Sequence, residues 1–277
     1  IIRVGAKPVF VEPHVHTYNI DPLKIESAIT KKTRAIIPIH LYGLCCEMDK
    51  INEICKKHKI HIIEDNAQGH GSSFKGKLSG SWGTVNATSF YPSKNLGAFG
   101  DAGAITTNDE KIAKKIKSLR NYGSLTRYLN EYIGYNMRLD ELQAGLLEIK
   151  LRYLDKWNNE RKKIADLYIK NLSGIKEVIL PFTNKYSTHV YHIFNIRIKD
   201  RDDLAKHLHK SNIQTLIHYP IPPYLQKATS YSSYKKGDFP IAEELSDTSL
   251  SLPIWPGMKD EQVIYVVKEI KKFYNED

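Results

Sequence analysis

Short apolar runs alternate with helical patterns along the first 120 residues, and few folds accommodate that order. Residues 8–11, 35–39, 60–63, 85–90 and 104–107 are too short for helices and rich in branched or small apolar side chains, so they read as buried strands. Between them, residues 21–29, 48–58 and 109–119 space their apolar side chains three and four apart, as a helix with one buried face requires. This alternation predicts an α/β fold, a mostly parallel sheet sandwiched by helices. Ligands of such sheets collect beyond the carboxyl ends of the strands. Asp65 stands just past the 60–63 run and is placed for a site.

From Arg138 onward, Leu139, Leu142, Leu146, Ile149, Leu154 and Trp157 keep a helical period that continues through Ile164 to Tyr168. We read this stretch as a connector between domains, broken near Asn158-Asn159. Beyond it, runs at 190–198 and 213–217 and helical patterns at 202–210 and 260–273 describe a smaller α+β unit. The expected division is a large domain over residues 1–160 and a small C-terminal domain over 161–277.

Composition excludes several function classes. No apolar run approaches the roughly 20 residues that span a bilayer, and the first residues lack the pattern of a secretory leader, which points to the cytoplasm and away from membranes. Three cysteines, Cys45, Cys46 and Cys55, are too few for a disulfide framework and read as packing residues. The net charge of +10 comes from lysine pairs scattered along polar helix faces, such as Lys31-Lys32 and Lys162-Lys163. That pattern suits a solvated surface and an anionic small molecule better than a nucleic acid. His14 with His16 and His207 with His209 lack a third nearby ligand, so no metal site is expected.

The chemistry concentrates in two segments, Ile62-Ile63-Glu64-Asp65-Asn66-Ala67-Gln68 and Thr88-Ser89-Phe90-Tyr91-Pro92-Ser93-Lys94-Asn95-Leu96-Gly97. Together they offer a carboxylate, a flat amide, a hydroxyl and an amine, the groups that hold pyridoxal 5'-phosphate and make it react. Asp65 would keep the pyridine nitrogen protonated; read alone, it could equally cap the helix after its strand. Gln68 would lay its amide on the ring, or be a polar loop residue. Ser89 offers a hydroxyl to a phosphate. Lys94 would form the Schiff base, since a partly buried amine loses its proton readily and becomes nucleophilic. Gly97, Gly100 and Gly103 permit a close-approaching loop but do not spell a dinucleotide fingerprint.

These segments, with Gly5-Ala6-Lys7-Pro8-Val9-Phe10-Val11, Ile39-His40-Leu41-Tyr42-Gly43, Gly134-Tyr135-Asn136-Met137-Arg138-Leu139-Asp140-Glu141-Leu142-Gln143-Ala144 and His218-Tyr219-Pro220, resemble the DegT/DnrJ/EryC1/StrS sugar aminotransferases almost end to end. The resemblance implies the aspartate aminotransferase fold (fold type I) and transfer of an amino group from glutamate to a keto-sugar linked to a nucleoside diphosphate. It assigns Asp65 to the pyridine nitrogen, Gln68 to the ring, Ser89 to the phosphate and Lys94 to covalent attachment and proton transfer. It also makes Asn136 the residue reaching the phosphate bound in the neighbouring subunit, hence a homodimer with shared active sites. Tyr219 is a candidate for lining the sugar pocket. A related dehydratase branch carries histidine at the Schiff-base position, so Lys94 sides with the transaminases. The wording Tyr91-Pro92-Ser93-Lys94-Asn95-Leu96-Gly97 followed by Gly100-Asp101-Ala102-Gly103 resembles enzymes that aminate C3 of a (6-deoxy)hexose more than those that aminate C4. The alternatives are a C4-specific enzyme and a cofactor-binding regulatory homologue without turnover. Relatives begin before the Gly-Ala-Lys-Pro segment, so the chain is expected to be an N-terminally incomplete copy lacking a Gly-Thr-rich phosphate turn.

Overall fold

A computed structural model describes residues 1–230 and 232–275. The order begins α1 (Pro22–Ala28), β1 (Ala35–Ile36), α2 (Met48–His58), β2 (His61–Asp65), the hairpin β3 (Ser73–Phe74) and β4 (Lys77–Leu78), β5 (Val85–Ser89), β6 (Gly103–Thr106) and α3 (Glu110–Leu119). It continues with the hairpin β7 (Ser124–Thr126) and β8 (Leu129–Asn130), α4 (Glu141–Leu151), α5 (Leu154–Leu172), β9 (Ser187–Thr188), β10 (Phe194–Arg197), α6 (Arg201–Lys210), α7 (Pro240–Thr248), β11 (Ser249–Leu252) and α8 (Asp260–Phe273).

The central sheet runs β1-β2-β5-β6, parallel across its first two pairs and antiparallel at β5-β6. Helix α2 makes the crossover from β1 to β2. It buries Met48, Ile51 and Cys55, spaced for one face, and ends where Lys59 turns left-handed at φ 54°. Local capping sets other boundaries. Asp21 Oδ1 accepts the Leu23 amide ahead of Pro22, and Asp109 accepts the amides of Lys111 and Ile112.

Among the described residues, apolar burial forms three clusters. One gathers Ile25, Ile36, Met48, Ile51, Ile62, Phe74 and the three cysteines, which are free and buried. A second packs Leu96, Ala98, Leu147 and Leu154. The third and largest runs from Ile164 to Ile270 and joins α5, the antiparallel pair β10-β11, α6 and α8.

Three sequence expectations are corrected. Residues 8–11 form no ladder; Pro8, which opens the run, has no N–H donor, and beyond the run Pro13 makes one bridge, to Ile20. Residues 213–217 reduce to one bridge, Leu216 to Ser251. The connector breaks at Arg152-Tyr153 rather than Asn158-Asn159, because the Asn158 amide is held by distant partners instead of competing for its own backbone.

Candidate active site

Strand β2 carries alternating side chains to opposite faces. Glu64 points to the fully buried side, and Asp65 ends the strand at the carboxyl edge of the parallel pairs. Asp65 Oδ1 accepts the Ala67 amide at 3.0 Å, which turns the chain and leaves Oδ2 without a partner among the described residues. Three residues on, buried Gln68 accepts the Tyr42 amide on Oε1 at 2.6 Å and donates from Nε2 to the Tyr219 hydroxyl at 3.1 Å. Tyr42 holds φ 58°, a left-handed conformation unusual for tyrosine, and its hydroxyl donates to the His218 carbonyl. Gln68 and Tyr219, 151 positions apart, are thereby joined.

Strand β5 ends at Ser89, whose Oγ accepts the Tyr91 amide at 3.2 Å and keeps its own proton to donate. A turn closed from the Lys94 amide to the Tyr91 carbonyl then presents Lys94. Its amine has no hydrogen bond or ion pair among the described residues. Burial lowers the Lys94 pKa, and the nearby Asp65 carboxylate partly opposes that fall. The loop is anchored further on, where Lys150 donates to the Gly97 carbonyl and Gln143 accepts the Phe99 amide.

The structure therefore brings Asp65, Gln68, Lys94 and Tyr219 into one neighbourhood, with Ser89 at the base of the Lys94 loop. Asn136 lies elsewhere. It bridges to Asn121 and accepts from Arg138 Nε at 3.2 Å.

Two histidines that the motif reading passed over belong to this neighbourhood. His70 Nδ1 accepts the Leu96 amide at 3.1 Å, so its proton sits on Nε2, which donates to Thr88 Oγ1 at 2.8 Å. His192 donates from Nδ1 to Asn95 Oδ1 at 3.1 Å. Burial, followed by the charge of Lys94, lowers His70 to about 4 and His192 to about 3. Nothing in the sequence marks them, since their partners are set by tertiary structure.

Two expectations arise here. A methyl at Gly97 would overlap the Pro92 carbonyl oxygen and press on that of Tyr91 at 3.0 Å. Gly97→Ala is expected to cost about 1–3 kcal/mol and to displace Lys94, read as a lower urea midpoint with weaker cofactor uptake. His70 and His192 are neutral when folded but protonate near 6.5 once unfolded. Their stabilising contribution is complete above about pH 6.5 and is lost as pH falls toward 4 to 3, by up to about 1.4 kcal/mol per pH unit for each. Urea midpoints at pH 7.5 and 5 check this, with a flatter dependence expected for His192→Asn.

The free amine, the unpaired carboxylate oxygen and the available hydroxyl proton match the donor and acceptor set of an aldehyde-bearing pyridine phosphate. No helix is long and apolar enough to cross a membrane among the described residues.

Known proteins resemble this chain over nearly its whole length. A dTDP-3-amino-3,6-dideoxy-alpha-D-galactopyranose transaminase of Aneurinibacillus thermoaerophilus is 50% identical over 269 residues, 97% of this chain and 73% of that protein. A Geobacillus stearothermophilus protein named "Pleiotropic regulatory protein" is 44% identical over 276 residues, 99% of this chain and 74% of its own length. The crystal structure of S. venezuelae DesV in complex with a ketimine intermediate superposes with a TM-score of 0.97 at 42% identity, covering 100% of this chain and 74% of that one. The family model "DegT/DnrJ/EryC1/StrS aminotransferase family" matches residues 1–271, and the chain belongs to that family.

Proposed function

We propose that this protein is a pyridoxal 5'-phosphate-dependent aminotransferase that moves an amino group from glutamate to a keto-sugar linked to a nucleoside diphosphate, at C3 of a (6-deoxy)hexose. One observation carries the reading: Lys94, an amine without a partner, lies within electrostatic reach of Asp65 at the carboxyl edge of the parallel strands. The cofactor assignment is supported by solved relatives that hold it in its pyridoxal and pyridoxamine forms. The name of the Aneurinibacillus relative supports C3.

When bound, the cofactor supplies an electron sink for cleavage of a bond at the substrate amine carbon. The chain's own residues do the rest. Asp65 Oδ2 would hold a proton at the ring nitrogen, and Gln68, its amide fixed by its bonds to Tyr42 and Tyr219, would cover the ring. Ser89 donates to the phosphate. Lys94 would hold the cofactor covalently, and its amine would move the proton as base and as acid. Tyr219, half exposed, lines the sugar side.

A large cofactor-binding domain over 1–160 and a small domain over 161–277 form this unit, in keeping with the separate apolar clusters. Two such chains would form a homodimer in which Asn136 reaches the partner's phosphate. Near Asn136 in the sequence, Tyr128, Ile133, Tyr135, Met137 and Leu142 stand exposed, Ile133 at 98%, apolar surface of the kind that a second copy covers.

The name of the Geobacillus relative favours a second reading, a cofactor-binding regulatory protein without turnover. One experiment separates the two. The protein is mixed with pyridoxal phosphate, glutamate is added, and then 3-keto and 4-keto nucleotide sugars, with the absorption spectrum followed throughout. Loss of the bound-cofactor band with glutamate and its return with a 3-keto sugar supports the transaminase; a band indifferent to glutamate supports the regulator; return with 4-keto sugars alone overturns the C3 assignment.

A further inference from the structure

Asn95, directly after Lys94, has a buried side chain whose amide is fully engaged. Its Nδ2 donates to Asn158 Oδ1 at 2.8 Å and to the Val190 carbonyl at 3.1 Å, while its Oδ1 accepts from His192 Nδ1 at 3.1 Å. Asn158 in turn donates to the His70 carbonyl at 2.8 Å. One turn along α5, buried Arg161 donates from Nη1 to the carbonyls of Tyr191 at 3.1 Å and Ile254 at 3.2 Å. Asn158 and Arg161, three residues apart, share one helix face. That face grips the Lys94 loop, the segment after Asp65 and the 190–192 segment at once.

We propose that Asn95 is a positioning residue for the reaction: braced by Asn158 and by the 190–192 segment, it fixes where the Lys94 amine sits and which nitrogen of His192 carries the proton. The inference rests on the transaminase reading. Its physical basis is that a loop lysine with no partner of its own has little else to locate it. Asn95 supplies the missing constraint one residue away, through three bonds to two separate elements. With Nδ1 of His192 committed as a donor, its Nε2 stays an acceptor, so this ring adds no positive charge beside Lys94. Among the described residues, Asp65, His70, His192 and His218 are the titratable groups that interact electrostatically with the amine. Among them only Asp65 is an anion.

The test is Asn95→Ala with two readouts. In the cofactor-free chain, acetylation of Lys94 by acetic anhydride is followed across pH by peptide mass spectrometry. The midpoint is expected to rise toward that of surface lysines, because a loosened loop lets water reach the amine. In the loaded enzyme, kcat is expected to fall about 10²-fold, the effect of a displacement near 1 Å, while KM for the sugar changes less than threefold. An unchanged Lys94 midpoint together with kcat within threefold of wild type overturns the proposal. If Asn95→Ala does not fold, Asn158→Ala removes the same bond from the other side, and there a raised midpoint supports the proposal and an unchanged one overturns it. The acetylation arm needs no cofactor, so failure of this inference and failure of the transaminase reading are told apart.

Discussion

Lys94→Ala is expected to lower turnover by about 10³-fold or more while leaving the folded chain as stable as before. The rate loss combines removal of the covalent anchor with removal of the group that takes and returns the proton; positioned proton transfer alone is worth about 10²–10⁴-fold. The unchanged stability follows from the environment of the side chain. Its amine makes no hydrogen bond among the described residues and is partly desolvated, so truncation relieves an unfavourable burial that outweighs its attraction to Asp65. Rates with a keto-sugar nucleotide and urea midpoints measure the two halves. Borohydride treatment followed by mass analysis adds a direct check, since cofactor fixed to a peptide other than the one bearing Lys94 would falsify the assignment.

Glu64→Gln is expected to produce the largest loss of stability, about 2–6 kcal/mol, since two buried donors would lose their acceptor at about 1–3 kcal/mol each. Glu64 and His40 are fully buried and meet at 2.7 Å. His40 Nδ1 accepts the Cys46 amide, so Nε2 carries the proton and donates to Glu64 Oε2. The Gly80 amide also donates to Oε2, at 2.7 Å, and the amides of Trp82 and Gly83 donate to Oε1 at 2.5 and 2.6 Å. Every partner is a donor. A glutamine amide must aim its NH₂ at two of them, whichever way it is flipped. Burial raises the Glu64 pKa, but the His40 bond and the Gly83 and Gly80 amides outweigh it and hold the carboxyl below the usual range. Stability from this group is complete above its unfolded value near 4.5 and is lost as pH falls through the lower folded value. Urea unfolding of wild type and variant at pH 7 and at pH 4 measures both effects, and a variant within 1 kcal/mol of wild type, a margin at the lower end of single-site effects, would sink the account.

Strands near the site were legible because residues 60–63 are mostly apolar and 85–90 are rich in small and β-branched side chains; Asp65 closes β2, and Lys94 lies in the loop that leaves β5 after Ser89. The helices α2 and α8 matched their periodic patterns from Met48 to His58 and from Asp260 to Phe273. What stayed hidden depended on pairing across long separations. His70 reads as a loop histidine until the Leu96 amide arrives, and Asn158 reads as a helix breaker until its amide finds Asn95 and His70. Glu64 stands in the recognised motif beside Asp65, yet its four donors come from residues 40 and 80–83, which no local pattern joins. Tyr219 was within reach of the resemblance alone, since only the folded chain brings it to Gln68.

Helix α5 contributes Leu154 to the cluster around Leu96 and Leu147, and Ile164, Ala165, Tyr168 and Leu172 to the cluster around Phe194 and Leu250. A rigid rod rooted at both ends ties the melting of one half to that of the other. Scanning calorimetry is expected to give one endotherm whose van't Hoff and calorimetric enthalpies agree, whereas two resolved peaks would mean that the rod snaps and the halves part company before either is lost.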